Sequence, residues 1–266
     1  MKLLAPPWQF WRRARRVWVV SGIAFTVVFT TWSLIAYRAS ATAHEAMTTD
    51  HLVTVTREHG RLSFVPSPGR ARGDARLLFF PGALVNPVAY APLARAAAGA
   101  GFQSTILPMP RRGAFGGADD PLLLDHARRL MGQPGESGRW IVAGHSRGAV
   151  IATKLAAERP AELAGLVIIG SSHPRDVSLS GLTIPVTKIV GTRDGLASPD
   201  EVRENQHLLP ASTHWVWIEG GNHSQFGWYG FQPGDRFARI TRGQQHTAMI
   251  DAVLAALRQV KRNEAQ

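Results

Sequence analysis

The sequence predicts an α/β fold, a mostly parallel central sheet flanked by helices, with one transmembrane helix ahead of it. Three observations carry this reading. From about residue 52 onward, apolar runs of strand type alternate with runs of helical composition, as in a parallel sheet with helical crossovers. One of those transitions, Gly144-His145-Ser146-Arg147-Gly148, is unusually tight for a strand giving way to a helix. Near the amino terminus, Val17 to Tyr37 carries no charge; about 21 residues of helix rise about 31 Å, enough to cross the hydrocarbon core of a bilayer.

Taken in order, residues 1–16 read as a basic cytoplasmic tail, 17–37 as a transmembrane signal anchor, 38–51 as a linker and 52–266 as the globular domain. Trp8, Trp11 and Trp18 lie at one end of the apolar run, and Trp32 and Tyr37 near the other, where interfacial aromatics concentrate. Arg12, Arg13, Arg15 and Arg16 precede it and Arg38 follows it, so the positive-inside rule places the amino terminus in the cytoplasm and the domain outside. A cleaved signal is the alternative, since Ala39-Ser40-Ala41 and Ala41-Thr42-Ala43 both have the small-residue pattern of a cleavage site. His44 to Asp50 is polar. Leu52–Thr56 and Arg61–Val65 form an antiparallel pair turned at His59-Gly60, and a Pro/Gly/Arg loop follows to Asp74. Arg76–Phe80 is a strand, Asn86–Ala100 a helix limited by Pro87 and Pro92, Phe102–Leu107 a strand and Asp120–Met131 a helix. Between them, Arg111-Arg112-Gly113 and Gly116-Gly117 read as a solvated connection. Arg139–Ala143 is a strand and Ala149–Arg159 a helix that stops before Pro160. Strands Leu163–Ile169, Ile184–Gly191 and His214–Glu219 follow, and Gln244–Val260 closes the domain with Met249, Val253, Leu254 and Leu257 apolar at helical spacing.

A serine on so tight a turn sits on a strained backbone that exposes its Oγ, and glycines let the chain turn that sharply. The helix behind it aims its N-terminal N–H groups at any negative charge formed there. A serine nucleophile needs a base, and the base an orienting acid, in the chain order Ser, acid, His for this architecture. Asp194 lies just past the carboxyl end of one strand and His223 just past the next, where parallel sheets carry their chemistry. Rival acids are Asp200, which reads as the cap of a helix beginning at Ser198-Pro199, and Glu219. His145 reads as structural or substrate-lining, and His173 and His214 as surface or strand residues.

These pieces resemble the α/β-hydrolases, in particular the compact bacterial kind related to dienelactone hydrolases and small serine esterases. The likeness covers roughly Leu52 to Val260 and rests on Phe80-Pro81-Gly82-Ala83, Gly144–Gly148, Gly191-Thr192-Arg193-Asp194 and Gly220-Gly221-Asn222-His223. It implies an α/β-hydrolase fold, Ser146 as nucleophile, His223 as general base and acid, and Asp194 as orienter. It also implies an oxyanion hole from the backbone N–H groups of Arg147 and Ala83, with Leu84 the alternative to Ala83. Many dienelactone hydrolases carry cysteine at the nucleophile position; this chain has no cysteine, which moves the reading towards ester hydrolysis. Gly170 to Thr183 is too short to hold the cap domain that the family often inserts, so no large cap is expected. The aromatic and glycine-rich stretch Gln225–Thr241 reads either as a lid or substrate wall, or as a loop packed on the closing helix.

Composition bounds the partners. The net charge is +11, but Lys2, Arg12, Arg13, Arg15, Arg16 and Arg38 all precede the first acid, Glu45. The excess is therefore largely a flank of the membrane segment, and no nucleic-acid motif accompanies it. No metal-binding spacing appears, and neither a metal nor a cofactor is expected. The expected partners are a small-molecule ester or acyl substrate and, through the amino-terminal helix, a lipid bilayer. Acyl transfer on the same three residues, and a non-catalytic anchored binding module, are the alternatives.

Overall fold

The computed structural model describes residues 7–58, 60–69, 73–132, 139–158 and 162–262. Its centre is an eight-stranded sheet: β1 (Val53–Glu58), β2 (Arg61–Pro66), β3 (Ala75–Phe80), β4 (Ser104–Ile106), β5 (Arg139–His145), β6 (Leu163–Ile169), β7 (Val186–Gly191) and β8 (His214–Ile218). The spatial order is β1-β2-β4-β3-β5-β6-β7-β8. The first two pairings, β1 with β2 and β2 with β4, are antiparallel, and every later one is parallel. The hairpin joining β1 and β2 runs through position 59, which lies outside the described residues, as do 70–72 of the following loop and Arg159 and Pro160.

Seven α-helices are described: α1 (Pro7–Ala36), α2 (Ala41–Glu45), α3 (Ala91–Gly99), α4 (Pro121–Met131), α5 (Arg147–Ala157), α6 (Pro199–Glu204) and α7 (Arg242–Arg262). The sheet separates two apolar cores. On one face, Leu77, Phe79, Ile141, Ala143, Val167 and Ile169 pack with α3 and α7. On the other, Leu78, Phe80, Val142, Leu166 and Ile168 pack with α4 and α5. The period-two alternation of the central strands makes this division, and burial on both sides explains why they read as unbroken apolar runs. Met249, Val253 and Leu257 of α7 are fully buried at four-residue spacing, and Leu254 is half-buried.

Local chemistry sets several element ends. Asp120 caps α4 by accepting the Leu122 N–H at 3.0 Å, with Pro121 at the first helical position. The expected helix over Asn86–Ala100 is instead a 3-10 turn over Pro87–Tyr90 followed by α3, because each segment starts afresh at a proline. The cap of α6 is Ser198 rather than Asp200. Ser198 accepts from the Glu201 N–H, the Glu201 carboxylate accepts in return, and Asp200 pairs with Arg203 on the surface. The helix at the amino terminus begins ten residues before Val17, since arginines are good helix formers and an apolar window marks a bilayer rather than a helix end. Phe10–Ala36 is long and apolar enough to cross a membrane.

The linker differs most from expectation. Ser40 caps α2 through the Ala43 N–H, and Ala43 is fully buried in the domain core. Arg95 of α3 pairs with Asp50 and donates to the carbonyls of Ala46 and Thr48. A run that is polar in composition is thus fastened by its backbone and its alanines.

Packing is very tight where α5 leaves β5. A Cβ on Gly148 would stand 2.0 Å from the Phe80 carbonyl oxygen and 2.3 Å from that of Pro81, and one on Gly144 would stand 2.2 Å from the Gly148 oxygen. These obstacles are backbone and cannot swing aside. Gly148→Ala is therefore expected to lower unfolding free energy by about 3 kcal/mol or more, measured by urea titration; an unchanged midpoint would contradict this packing.

Candidate active site

Ser146 follows β5 and opens α5. Its backbone is at φ 53°, ψ −120°, a conformation that costs an L-residue on the order of 1–3 kcal/mol. The strain is held by the Ser146 N–H, which donates to the Ile169 carbonyl at 2.9 Å, and by the glycine contacts on either side. Ser146 is half-buried, and its hydroxyl makes no hydrogen bond among the described residues. As the first helical residue, Arg147 has a main-chain N–H that no turn of α5 can engage.

Asp194 follows β7 and His223 follows β8, both fully buried. The His223 Nδ1 lies 2.9 Å from Asp194 Oδ2 and 3.1 Å from Oδ1. Oδ1 also accepts the N–H groups of Leu196 at 2.9 Å and Ala197 at 2.7 Å. The carboxylate is thus satisfied on one side by backbone and on the other by the imidazole. The opposite ring nitrogen, His223 Nε2, is buried without a partner among the described residues. The two rival acids lie elsewhere: Glu219 and Asp200 are both exposed. His173 is half-buried in the loop after β6, and His214 is exposed at the start of β8.

His145 sits directly behind the site. Its ring centroid is 4.5 Å from that of His223 and 5.5 Å from Phe226. Its Nδ1 shares a 2.8 Å hydrogen bond with the Tyr90 hydroxyl, which also accepts the Gly82 N–H at 3.0 Å. Tyr90 therefore links the loop after β3 to the residue beside Ser146. In that loop the Leu84 N–H donates to the Arg112 carbonyl at 2.7 Å, while the Ala83 N–H has no partner among the described residues. The connection over 111–119 is more than solvated chain. Both Asp119 carboxylate oxygens take a 2.6 Å hydrogen bond from Arg147, and Lys154 adds a third contact.

Sequence reading missed the groups that hold His223 in place. Asp235 spans the two loops: its Oδ1 accepts the N–H of Gly195 at 3.1 Å and of His223 at 3.2 Å, and its Oδ2 accepts both the Ser224 N–H at 2.8 Å and the Ser224 hydroxyl at 2.6 Å. Gln245 of α7 clasps the Asn222 backbone from both sides, at 3.0 and 2.6 Å. Arg242 donates to the carbonyls of Ser224 and Gly227. Only Gly234, at φ 88° just before Asp235, hints in the sequence that this loop is built to turn a side chain inward. Within Gln225–Thr241, Phe226 is buried against His145, Trp228 lies 5.2 Å from His246 of α7, and Phe231 stacks on the exposed Phe237.

Burial also tunes charge. Desolvation, with the neighbouring His223 and His246, holds His145 well below the ordinary imidazole range. Desolvation first and Arg242 second push His246 down to about 3. Lys188 of β7 is buried, donates to the His173 carbonyl, and is pushed down to about 7 by desolvation, with Arg175 adding to it. No group of three or more His, Cys, Asp or Glu that could hold a metal ion occurs among the described residues.

A model of the Alpha/beta hydrolase family matches residues 76–247. Among solved structures, TT1662 from Thermus thermophilus is similar at 19% identity and a TM-score of 0.55, covering 78% of this chain and 98% of that one. The lipolytic enzymes LipS and LipT, derived from a metagenome, are the subject of a structure at 13% identity and a TM-score of 0.55, covering 77% of this chain and 100% of that one. The esterase domain of a Rhodothermus marinus protein gives 13% identity and a TM-score of 0.53, covering 77% and 97%. At these identities the likeness is one of fold. No curated protein sequence matches significantly.

The buried histidines make a stability prediction. In the unfolded chain His246 titrates near 6.5, and in the folded one near 3, so between those values the unfolded state binds more protons and stability falls as pH falls. Each pH unit in that window costs about 1.4 kcal/mol for one histidine. His246→Phe is expected to flatten the acid limb of a stability-versus-pH curve between pH 6.5 and 3 by about that slope; an unchanged limb would show that His246 is not buried as a neutral ring.

Proposed function

The chain belongs to the alpha/beta hydrolase family, and from that premise we propose that it is a serine hydrolase cleaving carboxylic esters or related acyl compounds through an acyl-Ser146 intermediate. The observation that carries this reading is the state of His223. Asp194 holds it through Nδ1, its Nε2 is buried without a partner among the described residues, and its ring lies 4.5 Å, centroid to centroid, from that of His145, the residue before Ser146. A polar atom left bare in a protein interior is costly, and a catalytic nitrogen waiting for a hydroxyl proton gives it a purpose. Serine–base hydrogen bonds are often long in ligand-free enzymes and tighten with substrate.

In this mechanism His223 Nε2 takes the Ser146 proton as Oγ attacks the acyl carbonyl. Asp194 fixes the imidazole tautomer and stabilises the imidazolium without itself taking the proton. The carbonyl oxygen becomes an oxyanion and is met by the N–H groups of Arg147 and Ala83. Ala83 is favoured because Gly82 and Leu84 have already committed theirs, to Tyr90 and to the Arg112 carbonyl. As the intermediate collapses, His223 returns the proton to the leaving alcohol. Water, deprotonated by His223, then attacks the acyl carbon, and Ser146 recovers its proton as the acid departs. The scheme uses no cofactor.

We propose further that α1 is an uncleaved single-pass anchor and that the catalytic domain faces away from the cytoplasm. Charge asymmetry supports the orientation: Arg12, Arg13, Arg15 and Arg16 precede the span and Arg38 alone follows it closely. Retention of the anchor is supported by contacts that cleavage would sever. The Ala36 carbonyl accepts the Gly230 N–H at 2.6 Å, and the Ser40 N–H donates to the Trp228 carbonyl at 2.8 Å.

Ser146→Ala is expected to abolish labelling by a fluorophosphonate probe, and Asp194→Asn to cut ester turnover by about ten-thousandfold with the fold intact, as the wrong histidine tautomer is favoured. Labelling that persists on Ser171 or Ser224 would reassign the nucleophile. For topology, a phosphatase reporter that requires an oxidising compartment, fused after Gln266, is expected to be active in the membrane fraction. Activity of only a cytoplasmic reporter would reverse the orientation, and a soluble product starting near Thr42 or His44 would show a cleaved signal.

A further inference from the structure

The point where α1 meets the domain is fixed on several sides. The Tyr37 carbonyl accepts the Asn86 N–H at 2.9 Å, and the Tyr37 ring stacks on Tyr229, centroids 6.2 Å apart and planes inclined by 22°. The Ala36 and Ser40 main chains bond to Gly230 and Trp228. Arg38 is therefore held in register with the loop carrying Asn86, and with Arg112 beside it. Together Leu34, Arg38, Ala39, His44, Asn86 and Arg112 enclose a cleft of about 400 Å³. A second cleft of about 320 Å³ shares His44, Asn86 and Arg112 and adds Arg57.

The lining has a consistent chemistry. Neither cleft carries a carboxylate. The guanidinium groups of Arg38 and Arg112 have no partner among the described residues, and both side chains are exposed. The Asn86 Oδ1 is taken by the Val88 N–H at 3.1 Å, which leaves its amide N–H₂ as the outward donor. Leu34, in the last turn of the span, supplies an apolar wall and is 65% exposed. Two forked cations and an amide donor, set beside the end of an apolar helix, match an anion that arrives attached to hydrocarbon. In a bilayer spanned by α1, this cleft opens at the depth of the lipid phosphates.

We propose that the Arg38–Asn86–Arg112 cleft binds the phosphate of an anionic phospholipid headgroup, seated at the exit of the membrane helix. The choice of a lipid over a free phosphate rests on Leu34 and on the anchor reading of α1. The site itself does not depend on the hydrolase chemistry. The four arginines ahead of α1 also attract anionic lipid, on the opposite membrane face, and the experiment has to separate the two.

Native mass spectrometry of the full chain in detergent, titrated with short-chain phosphatidylglycerol, reads binding directly. The wild type is expected to retain one phosphatidylglycerol that phosphatidylcholine displaces poorly. Arg38→Gln/Arg112→Gln is expected to weaken that binding about thirtyfold, two surface cations' worth, while Arg12→Gln/Arg13→Gln leaves it in place. Both Arg38 and Arg112 are exposed, and circular dichroism checks that the variant is folded. Undiminished binding in the Arg38/Arg112 variant, or loss only in the tail variant, would overturn the proposal. Displacement of the lipid by an equal concentration of inorganic phosphate would overturn the lipid source and assign a soluble anion instead. Loss of the protein from the membrane fraction, scored separately, would overturn the anchor.

Discussion

A carboxylate can be fully withdrawn from water only where fixed donors replace the solvent, and Asp194 meets that condition with two backbone N–H groups and one imidazole. Much of the domain's carboxyl-terminal half is arranged to make this possible. The loop after β7 must present Leu196 and Ala197 to the carboxylate, and the loop after β8 must bring His223 within 3 Å of it. Asp235 then ties the two loops to each other through Gly195, His223 and Ser224. Gln245 and Arg242 fasten the His223 loop to α7, and α7 is itself seated by Met249, Val253 and Leu257 in the core. Removing a core side chain of α7 would thus be felt at the imidazole through a short chain of contacts.

The opposing side of the site is fixed by sterics rather than charge. Gly144 and Gly148 admit no Cβ, so β5, α5 and the end of β3 approach closely enough to hold Ser146 at a positive φ. The Tyr90 hydroxyl fixes the loop after β3 against His145, and the Asp119–Arg147 pair fixes the loop over 111–119 against α5. That ion pair is exposed and worth little to global stability, but it restrains the residue whose N–H would face a developing oxyanion.

How much of this could be read from the chain depended on the range of the interaction. Strand runs such as Leu163–Ile169 are legible because burial on both faces leaves an apolar stretch with no exceptions. The Gly144–Gly148 turn and the strand-end positions of Asp194 and His223 are legible because the parallel sheet converts sequence order into spatial order. Tyr90, Asp235 and Gln245 are not, because each acts through hydrogen bonds to residues distant in the chain, which leave no local pattern. Asp200 is not the cap that the sequence suggests, because Ser198 and Glu201 satisfy that turn reciprocally. The packing of the linker is illegible for a related reason: polar composition describes side chains, whereas this segment is held by main-chain groups and small alanines.

The amino-terminal helix and the candidate site meet in the same stretch of chain, since Gly227–Gly230 follows the His223 loop directly and bonds to Ala36 and Ser40. Those two main-chain hydrogen bonds tie the end of α1 to the loop beside the proposed chemistry. The central claim is that Ser146 becomes acylated in turnover. Rapid quenching of the full-length protein during cleavage of a slow activated ester, followed by peptide mass spectrometry, tests it most directly. The account predicts a single acyl group on Ser146 that accumulates before steady state. Ester turnover with no covalent adduct, or an adduct on another residue, would contradict it.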